Sequence, residues 1–352
     1  MMIIKWFIYM STIEDYIKQN KMPVIYTCSS QYNALLAFIF IMLYGKVNNS
    51  CIIMFSPEKR VLKAFYNISE KLNLYRIKNI VIDKQTKLHR ALGVSNIRNH
   101  IIKKCVFKKM HIIGGDYFLV NFAWNPRIVF YPASIYFKNC QRCIFVEEGA
   151  TQYVTPSENM VVLLLKKLYG NQMDFWEDER INGVFVQFPQ KYSYIKTSIQ
   201  SFSLKKTIEK LGDSTKKMIV DTFGMGIQLD ELRKQLEDKA GIIFTQPLSE
   251  DGYISENEKK KVYSDIVNFY SRYGKLVVKL HPRDTSNYEF TSASIMKSDF
   301  PSELLSISGK KFEFAVALCS SAVETVDAKL KKNLNEKYLN DLSFNLIELD
   351  VI

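Results

Sequence analysis

Short runs of β-branched and aromatic residues alternate with longer segments of mixed polarity through the first half of the chain. Residues 23–27 read as a strand, 31–44 as a helix, 51–55 as a strand, 58–72 as a helix and 77–83 as a strand. Further strands are predicted over 117–121, 128–131 and 143–146, each a compact apolar run ending near a polar or Gly-containing loop. From about residue 203 to 240 strand signals vanish and the chain turns helical and charge-rich, which marks a linker region. A second alternating block follows: strand 241–245, loop 246–253, helix 256–273, strand 275–280 and a loop from His281. It continues with a helix opening near Pro301, a strand over 312–318, a Ser-Ser turn and a helix from Ala322 onward. Such alternation argues for parallel sheets with helices on both faces. The expectation is α/β: two doubly wound, Rossmann-like domains, 1–202 and 241–352, facing each other across a central cleft, with 203–240 between them.

Two apolar runs, residues 1–10 and 34–44, are well short of the ~20 residues that span a bilayer, so both are read as buried elements. The second has N-cap candidates in Ser29 and Ser30 and a stop in Gly45. A chain of 352 residues supplies about two domains on a length prior of ~150 residues each. Hydrophobic residues at 47% and charged residues at 24% fit a folded chain and exclude disorder. Lys and Arg number 48 against 36 Asp and Glu, and the resulting charge of +12 points to an anionic partner: a nucleic acid, a membrane surface or a phosphorylated small substrate. The 20 Tyr and 23 Phe suit nucleic-acid stacking, but they fall mostly within the predicted strand and helix cores, so no nucleic-acid partner is expected. The six cysteines are scattered, no secretory signal is read ahead of them, and a reducing cytoplasm is expected. Cys140 and Cys143 have zinc-ligand spacing, but no second pair or nearby His completes a site, so no metal is expected.

Open α/β sheets bind ligands at the carboxyl ends of their strands, which directs attention to residues just after each strand. These are Cys28-Ser29-Ser30-Gln31, Glu147-Glu148-Gly149, Thr245-Gln246-Pro247, Glu250-Asp251-Gly252, His281-Pro282-Arg283-Asp284 and Cys319-Ser320-Ser321. His281 ends an apolar strand that Pro282 stops, so its imidazole can face the ligand edge; a surface loop histidine is the other reading. Ser320 and Ser321 precede a predicted helix, and two hydroxyls with free helical amides suit a single phosphate, or serve as a plain N-cap. Neither GxxxxGK[ST] nor GxGxxG is present, which disfavours nucleoside triphosphate and dinucleotide sites. Adjacent carboxylates raise one another's pKa and suit a general base, and Glu147-Glu148 and Glu250-Asp251 both offer such a pair. Glu177-Asp178-Glu179 lies in a polar stretch and reads as solvated.

An acid-acid-Gly motif at Glu147-Glu148-Gly149, a Lys-x-His-Pro motif at Lys279-Leu280-His281-Pro282 and the downstream Ser320-Ser321 together resemble the bacterial sialyltransferases. The opening Ile25-Tyr-Thr-Cys-Ser-Ser-Gln31 with Asn33-Ala34, the Phe244-Thr-Gln-Pro247 strand end and Phe300-Pro-Ser-Glu-Leu304 look like glycosyltransferase family 52, the lipooligosaccharide and capsule sialyltransferases. The resemblance spans about residues 22–325. It implies a GT-B fold with an N-terminal acceptor domain, a C-terminal domain binding CMP-sialic acid, and metal-independent inverting transfer to a terminal galactoside of a surface glycan, α-2,3 in linkage. By the same resemblance His281 would protonate or hydrogen-bond the leaving phosphate, with Ser320 and Ser321 on that phosphate. Lys279 and Pro282 would lie near the nucleotide, with Thr245 and Gln246 at the preceding strand end, and Glu303 would accept from the ribose hydroxyls. Glu148 fits the base position of the related families, whereas a carboxylate after the Thr-Gln-Pro strand, Asp251, takes that role if family 52 differs. No metal and no cofactor beyond the donor CMP-Neu5Ac are implied. A different nucleotide sugar, such as CMP-Kdo or a UDP-sugar, is the alternative donor. The basic runs 259–261 and 329–332 would meet an anionic membrane at the inner face of the plasma membrane, or lie on solvated helix faces. The resemblance also implies a homodimer.

Overall fold

The computed structural model describes residues 12–56, 58–82, 94–112, 116–122, 132–147, 178–187, 189, 199–224, 226–236, 241–296, 300–318, 320 and 322–334. The chain divides into two compact units, Met1–Leu204 and Lys205–Ile352. Each is built on its own all-parallel sheet.

In the first unit the strands β1 (Val24–Cys28), β2 (Ser50–Phe55), β3 (Lys78–Ile82), β4 (Phe118–Asn121), β5 (Arg142–Val146), β6 (Ile181–Val186) and β7 (Ile199–Ser201) lie in the order β3-β2-β1-β4-β5-β6-β7. The helices are α1 (Ile13–Gln19), α2 (Gln31–Tyr44), α3 (Lys59–Leu74), α4 (Val94–Met110) and α5 (Pro132–Phe137). Strand β1 pairs with β2 on one side and β4 on the other, so the winding reverses there and opens a crevice at the carboxyl ends of β1 and β4. Burial explains why β1, β2 and β4 read as continuous apolar runs rather than alternating ones: every residue of the three is buried. α2 starts on the expected residue because Ser30 and Asn33 form a capping box, and it ends at Gly45, whose φ of 71° carries the left-handed turn. Residues Ala34 to Ile41 of this helix are wholly buried, which confirms a core helix. The predicted strand 128–131 lies outside the described residues.

In the second unit α6 (Leu204–Glu209), α7 (Asp213–Phe223) and α8 (Leu229–Gln235) precede the sheet. Strands β8 (Gly241–Phe244), β9 (Leu276–Lys279), β10 (Ala293–Met296), β11 (Phe312–Ala317) and β12 (Ala328–Asn333) then pair in the order β10-β9-β8-β11-β12, with helices α9 (Glu256–Tyr270), α10 (Leu304–Ile307) and α11 (Ala322–Thr325). A short 3-10 turn, Ser271–Tyr273, follows α9 and accounts for the longer helix expected to 273. The winding reverses between β8 and β11, so the loops after these two strands and after β9 share one sheet edge. Gly241 is required where β8 begins, because an added Cβ would overlap the Phe314 ring of β11. The core beneath the sheet joins Ile243, Val278 and Val316 to Tyr263, Ile266, Val267 and Tyr270 of α9. Full burial of each aliphatic side chain there contributes about 1.5–3 kcal/mol.

The helix expected from Ala322 onward is only one turn. The chain re-enters the sheet as β12, beside β11 in register Phe312↔Ala328, so 329–332 is a strand and not a helix face. The reason is local: the turn at Val326 and Asp327 closes onto Ala322, and Asp327 O then accepts from Phe312 N. The basic run 329–332 carries no hydrophobic alternation because both faces of this strand are solvated, with Lys329, Leu330 and Lys331 exposed. Lysines on an edge strand of this kind discourage pairing with a second sheet. Among the described residues no helix is long and apolar enough to cross a membrane.

Candidate functional site

The site of the second unit is assembled from three loops. After β8, Thr245 is buried and its Oγ1 accepts a 3.0 Å hydrogen bond from the His281 backbone N–H, which ties the β9 loop to the β8 loop. Gln246 N donates to the hydroxyl of buried Tyr263 on α9 at 2.6 Å. After β9 the chain turns tightly, with Asp284 N donating to His281 O at 2.9 Å. Within this turn His281 Nδ1 accepts from Arg283 N at 3.1 Å. An Nδ1 that accepts leaves the ring proton on Nε2. Burial first, then the charges of Arg283 and Lys279, push the His281 pKa down to about 4 against the opposing pull of Asp284 and Asp251. The imidazole is therefore neutral at physiological pH and presents an Nε2–H donor.

Lys279 is buried at the end of β9, its Nζ 4.3 Å from the centre of the Phe300 ring and 3.2 Å from Leu280 O. Glu303, buried just before α10, belongs to the same neighbourhood. Burial raises the pKa of its carboxyl, and the Lys279 charge opposes that rise. Lys279 and Glu303, the two expected nucleotide-side groups, are thus brought together with Phe300.

The acid-acid-Gly loop 250–252 is divided between two partners. Glu250 receives Lys259 Nζ at 2.7 and 2.9 Å and Thr285 through both N and Oγ1. Burial works against this carboxylate, but the Lys259 and Thr285 hydrogen bonds outweigh it and hold its pKa at about 2. Asp251 is gripped by Arg283 through two hydrogen bonds. Lys259, expected on a membrane-facing or solvated run, is instead fully buried and also bonds Asp284 at 3.0 Å. Its place explains the difference: Lys259, Tyr263, Ile266, Val267 and Tyr270 are the buried stripe of α9.

After β11, Ser320 N donates to Asn333 Oδ1 at 3.0 Å and Asn333 Nδ2 returns a 3.2 Å bond to Ser320 O. Ser320 Oγ accepts from Ala322 N at 3.2 Å, so the hydroxyl caps the turn that follows. Since β9 and β11 flank β8 on either side, the ends carrying His281 and Ser320 are about 10 Å apart across the sheet edge. Ser321 and Glu148 lie outside the described residues. Lys259, Thr285 and Asn333 were not singled out from the sequence as site residues. A lysine within an apolar helical stripe was the available signal for the first; Asn333 ends a strand that the sequence did not disclose.

Among the described residues, the corresponding edge of the first unit is a hydrogen-bonded polar cluster. Asn33 Oδ1 accepts from Ser29 N and Ser30 N at 3.1 and 3.2 Å, and Thr27 Oγ1 donates to Asn121 Oδ1 at 2.7 Å across β1 and β4. Glu147 is buried and takes both Gln187 N at 2.9 Å and Gln187 Nε2 at 2.8 Å, while Gln187 Nε2 also reaches Tyr32 at 3.3 Å. Glu147 thus joins the ends of β5 and β6. Cys140 and Cys143 are buried thiols, and among the described residues no group of His, Cys, Asp and Glu could hold a metal ion.

Residues 177–335 match the model of glycosyltransferase family 52. A protein of Haemophilus influenzae is 34% identical over 130 residues, 36% of this chain and 41% of that relative. The match thus spans about two fifths of the curated relative. Among solved structures, UGT73P12 of Glycyrrhiza uralensis with glycyrrhetinic acid 3-O-monoglucuronide aligns over 94% of this chain and 80% of its own at 10% identity, TM-score 0.48. The UDP-N-acetylglucosamine 2-epimerase of Rickettsia bellii aligns over 87% and 78% at 8% identity, TM-score 0.44. The three loops after β8, β9 and β11 all fall inside the stretch, residues 177–335, that matches the model of glycosyltransferase family 52.

Proposed function

We propose that the protein is an inverting, metal-independent sialyltransferase that moves sialic acid from CMP-Neu5Ac to a terminal galactoside of a surface glycan, a lipooligosaccharide or capsule chain, in α-2,3 linkage. The observation that carries this reading is the neutral imidazole of His281, whose backbone N–H is held by Thr245 Oγ1 and whose Nδ1 accepts from Arg283 N, leaving the ring proton on Nε2, at the carboxyl edge of a sheet inside the family 52 match. In the reaction the acceptor oxygen bonds to the anomeric carbon as the bond from that carbon to the phosphate oxygen breaks. The acceptor proton passes to a carboxylate, and CMP leaves. The reacting carbon becomes oxocarbenium-like, so the barrier falls when the departing phosphate is neutralised and the incoming hydroxyl deprotonated.

His281 Nε2–H donates to the departing phosphate, joined by Ser320 and Ser321. Glu303 accepts from the ribose hydroxyls, Lys279 and Pro282 lie beside the nucleotide, and Thr245 and Gln246 hold the β8 strand end against the β9 loop. Glu148 or Asp251 is the base. A single departing phosphate needs less charge compensation than a diphosphate, which is why donors, hydroxyls and a neutral imidazole suffice without a metal. The acceptor and its glycan chain are met at the cytoplasmic face of the membrane.

Calorimetric titration with CMP, UDP and GDP tests the donor class: binding of CMP in preference to the other two supports the reading, and preference for UDP or GDP replaces the donor. In an assay with CMP-Neu5Ac and a galactoside, His281→Ala abolishes transfer while the fold is kept. Retained transfer removes His281 from the phosphate.

A further inference from the structure

Both oxygens of the Asp251 carboxylate are taken by one side chain: Arg283 Nη1 lies 2.6 Å from Oδ1 and Nη2 lies 3.0 Å from Oδ2. Both oxygens of a carboxylate held in this way already accept charge-assisted bonds, so an incoming hydroxyl must displace or share the guanidinium to reach either one. Arg283 is also the residue whose backbone N–H orients His281, so guanidinium and imidazole leave the chain from one tight turn at the sheet edge. We propose that Arg283 is a donor-binding residue that exchanges partners: it pairs with Asp251 in the free protein and with the donor's phosphate in the complex, which releases Asp251 to take the acceptor's proton. The inference rests on the donor phosphate lying beside His281, as in the proposed function.

Two contrasts support the exchange. Glu250 and Asp284, in the same two loops, are locked by the fully buried Lys259, whereas the Arg283 and Asp251 side chains retain 41% and 30% of their exposure. An ion pair this open to water is worth only about a two- to fivefold factor in its equilibrium constant, so a second anion can compete for it. A phosphate offers the guanidinium a bidentate, more highly charged partner than a carboxylate does. The pair therefore couples the two halves of the reaction: the carboxylate is uncovered for the acceptor only once the leaving group has taken the guanidinium.

The test is calorimetric titration of CMP into the full chain, Asp251→Asn, Arg283→Met and the double variant, with thermal transitions recorded to establish that each is folded. Loss of the competing carboxylate makes Asp251→Asn bind CMP about two- to fivefold more tightly. Arg283→Met binds about tenfold or more weakly, and Arg283→Lys, which keeps the charge without the fork, falls between it and the parent. The double variant binds like Arg283→Met alone, since the carboxylate matters only through the guanidinium. Unchanged or weakened CMP binding in Asp251→Asn overturns the exchange, as does a tightening that persists in the double variant, which would be simple repulsion between Asp251 and phosphate. If the parent chain binds UDP or GDP in place of CMP, the donor assignment fails by itself, and the same titrations with that nucleotide decide the exchange.

Discussion

Lys259 Nζ lies 3.0 Å from Asp284 Oδ1 with neither side chain exposed to solvent, and the same ammonium bonds Glu250 at 2.7 Å. One cation on α9 thereby joins the loop that carries Asp251 to the loop that carries His281. Removing it leaves the buried Asp284 and the partly buried Glu250 without their cation, with Glu256 3.5 Å from the same ammonium, and an uncompensated buried charge costs more than a lost attraction. Lys259→Met is expected to lower stability by about 3–5 kcal/mol in urea unfolding. The triple variant Lys259→Met, Glu250→Gln, Asp284→Asn removes the charges together and should recover a large part of that loss. A triple variant no more stable than the single one would show that packing around Lys259, not charge, holds the two loops.

The depressed pKa of His281 makes a signed prediction about stability. Its folded value of about 4 lies below the unfolded value of 6.5, so between these the unfolded chain binds a proton that the folded chain does not. Stability contributed by the neutral ring is complete above pH 6.5 and falls as pH drops toward 4, by roughly 2 kcal/mol at pH 5 before any discount for partial solvent access. Glu250 has its folded value at about 2 against 4.5 unfolded, so its contribution is lost only below pH 4.5. Urea midpoints at pH 7.5 and 5, compared between the parent and His281→Asn, separate this contribution from that of the raised Glu303 carboxyl, and the variant should flatten the difference. An equal loss in both proteins would place the titrating group elsewhere.

How much of this was legible in the sequence depended on how each element is buried. Strands buried on both faces, such as β1, β2 and β9, announce themselves as apolar runs, and α2 announces its start through Ser30 and its end through Gly45. The His281 turn was legible because Pro282 stops a strand. β12 was not, because a solvated edge strand of lysines has no hydrophobic period to read, and β10 was missed for the same reason, with Ser294 and Ile295 both exposed. The role of Lys259 was hidden by its neighbours: Lys260 and Lys261 make it look like one member of a solvated run, and only the helical stripe shared with Tyr263 and Val267 distinguishes it. The division of labour between Glu250 and Asp251 is a tertiary fact, set by which cation each meets.

Asn333 lies 13 positions beyond Ser320 yet fixes its backbone from both sides, accepting from its N–H and donating to its carbonyl. If the Ser320 loop holds the donor phosphate, Asn333 acts on binding without touching the ligand, through the conformation of that loop. These two bonds are exposed, so Asn333→Ala should cost only about 1 kcal/mol of stability while weakening CMP binding severalfold. Asn333→Asp separates position from charge. Its carboxylate still accepts from Ser320 N but cannot donate to Ser320 O, and it adds a negative charge beside the phosphate loop, so CMP binding should fall further than in the alanine variant and the gap should narrow as salt is raised. Calorimetric titration of CMP at low and high ionic strength reads both effects. If the aspartate variant binds as the parent does, the loop after β11 does not carry the phosphate, and His281 must be supported by a different strand end.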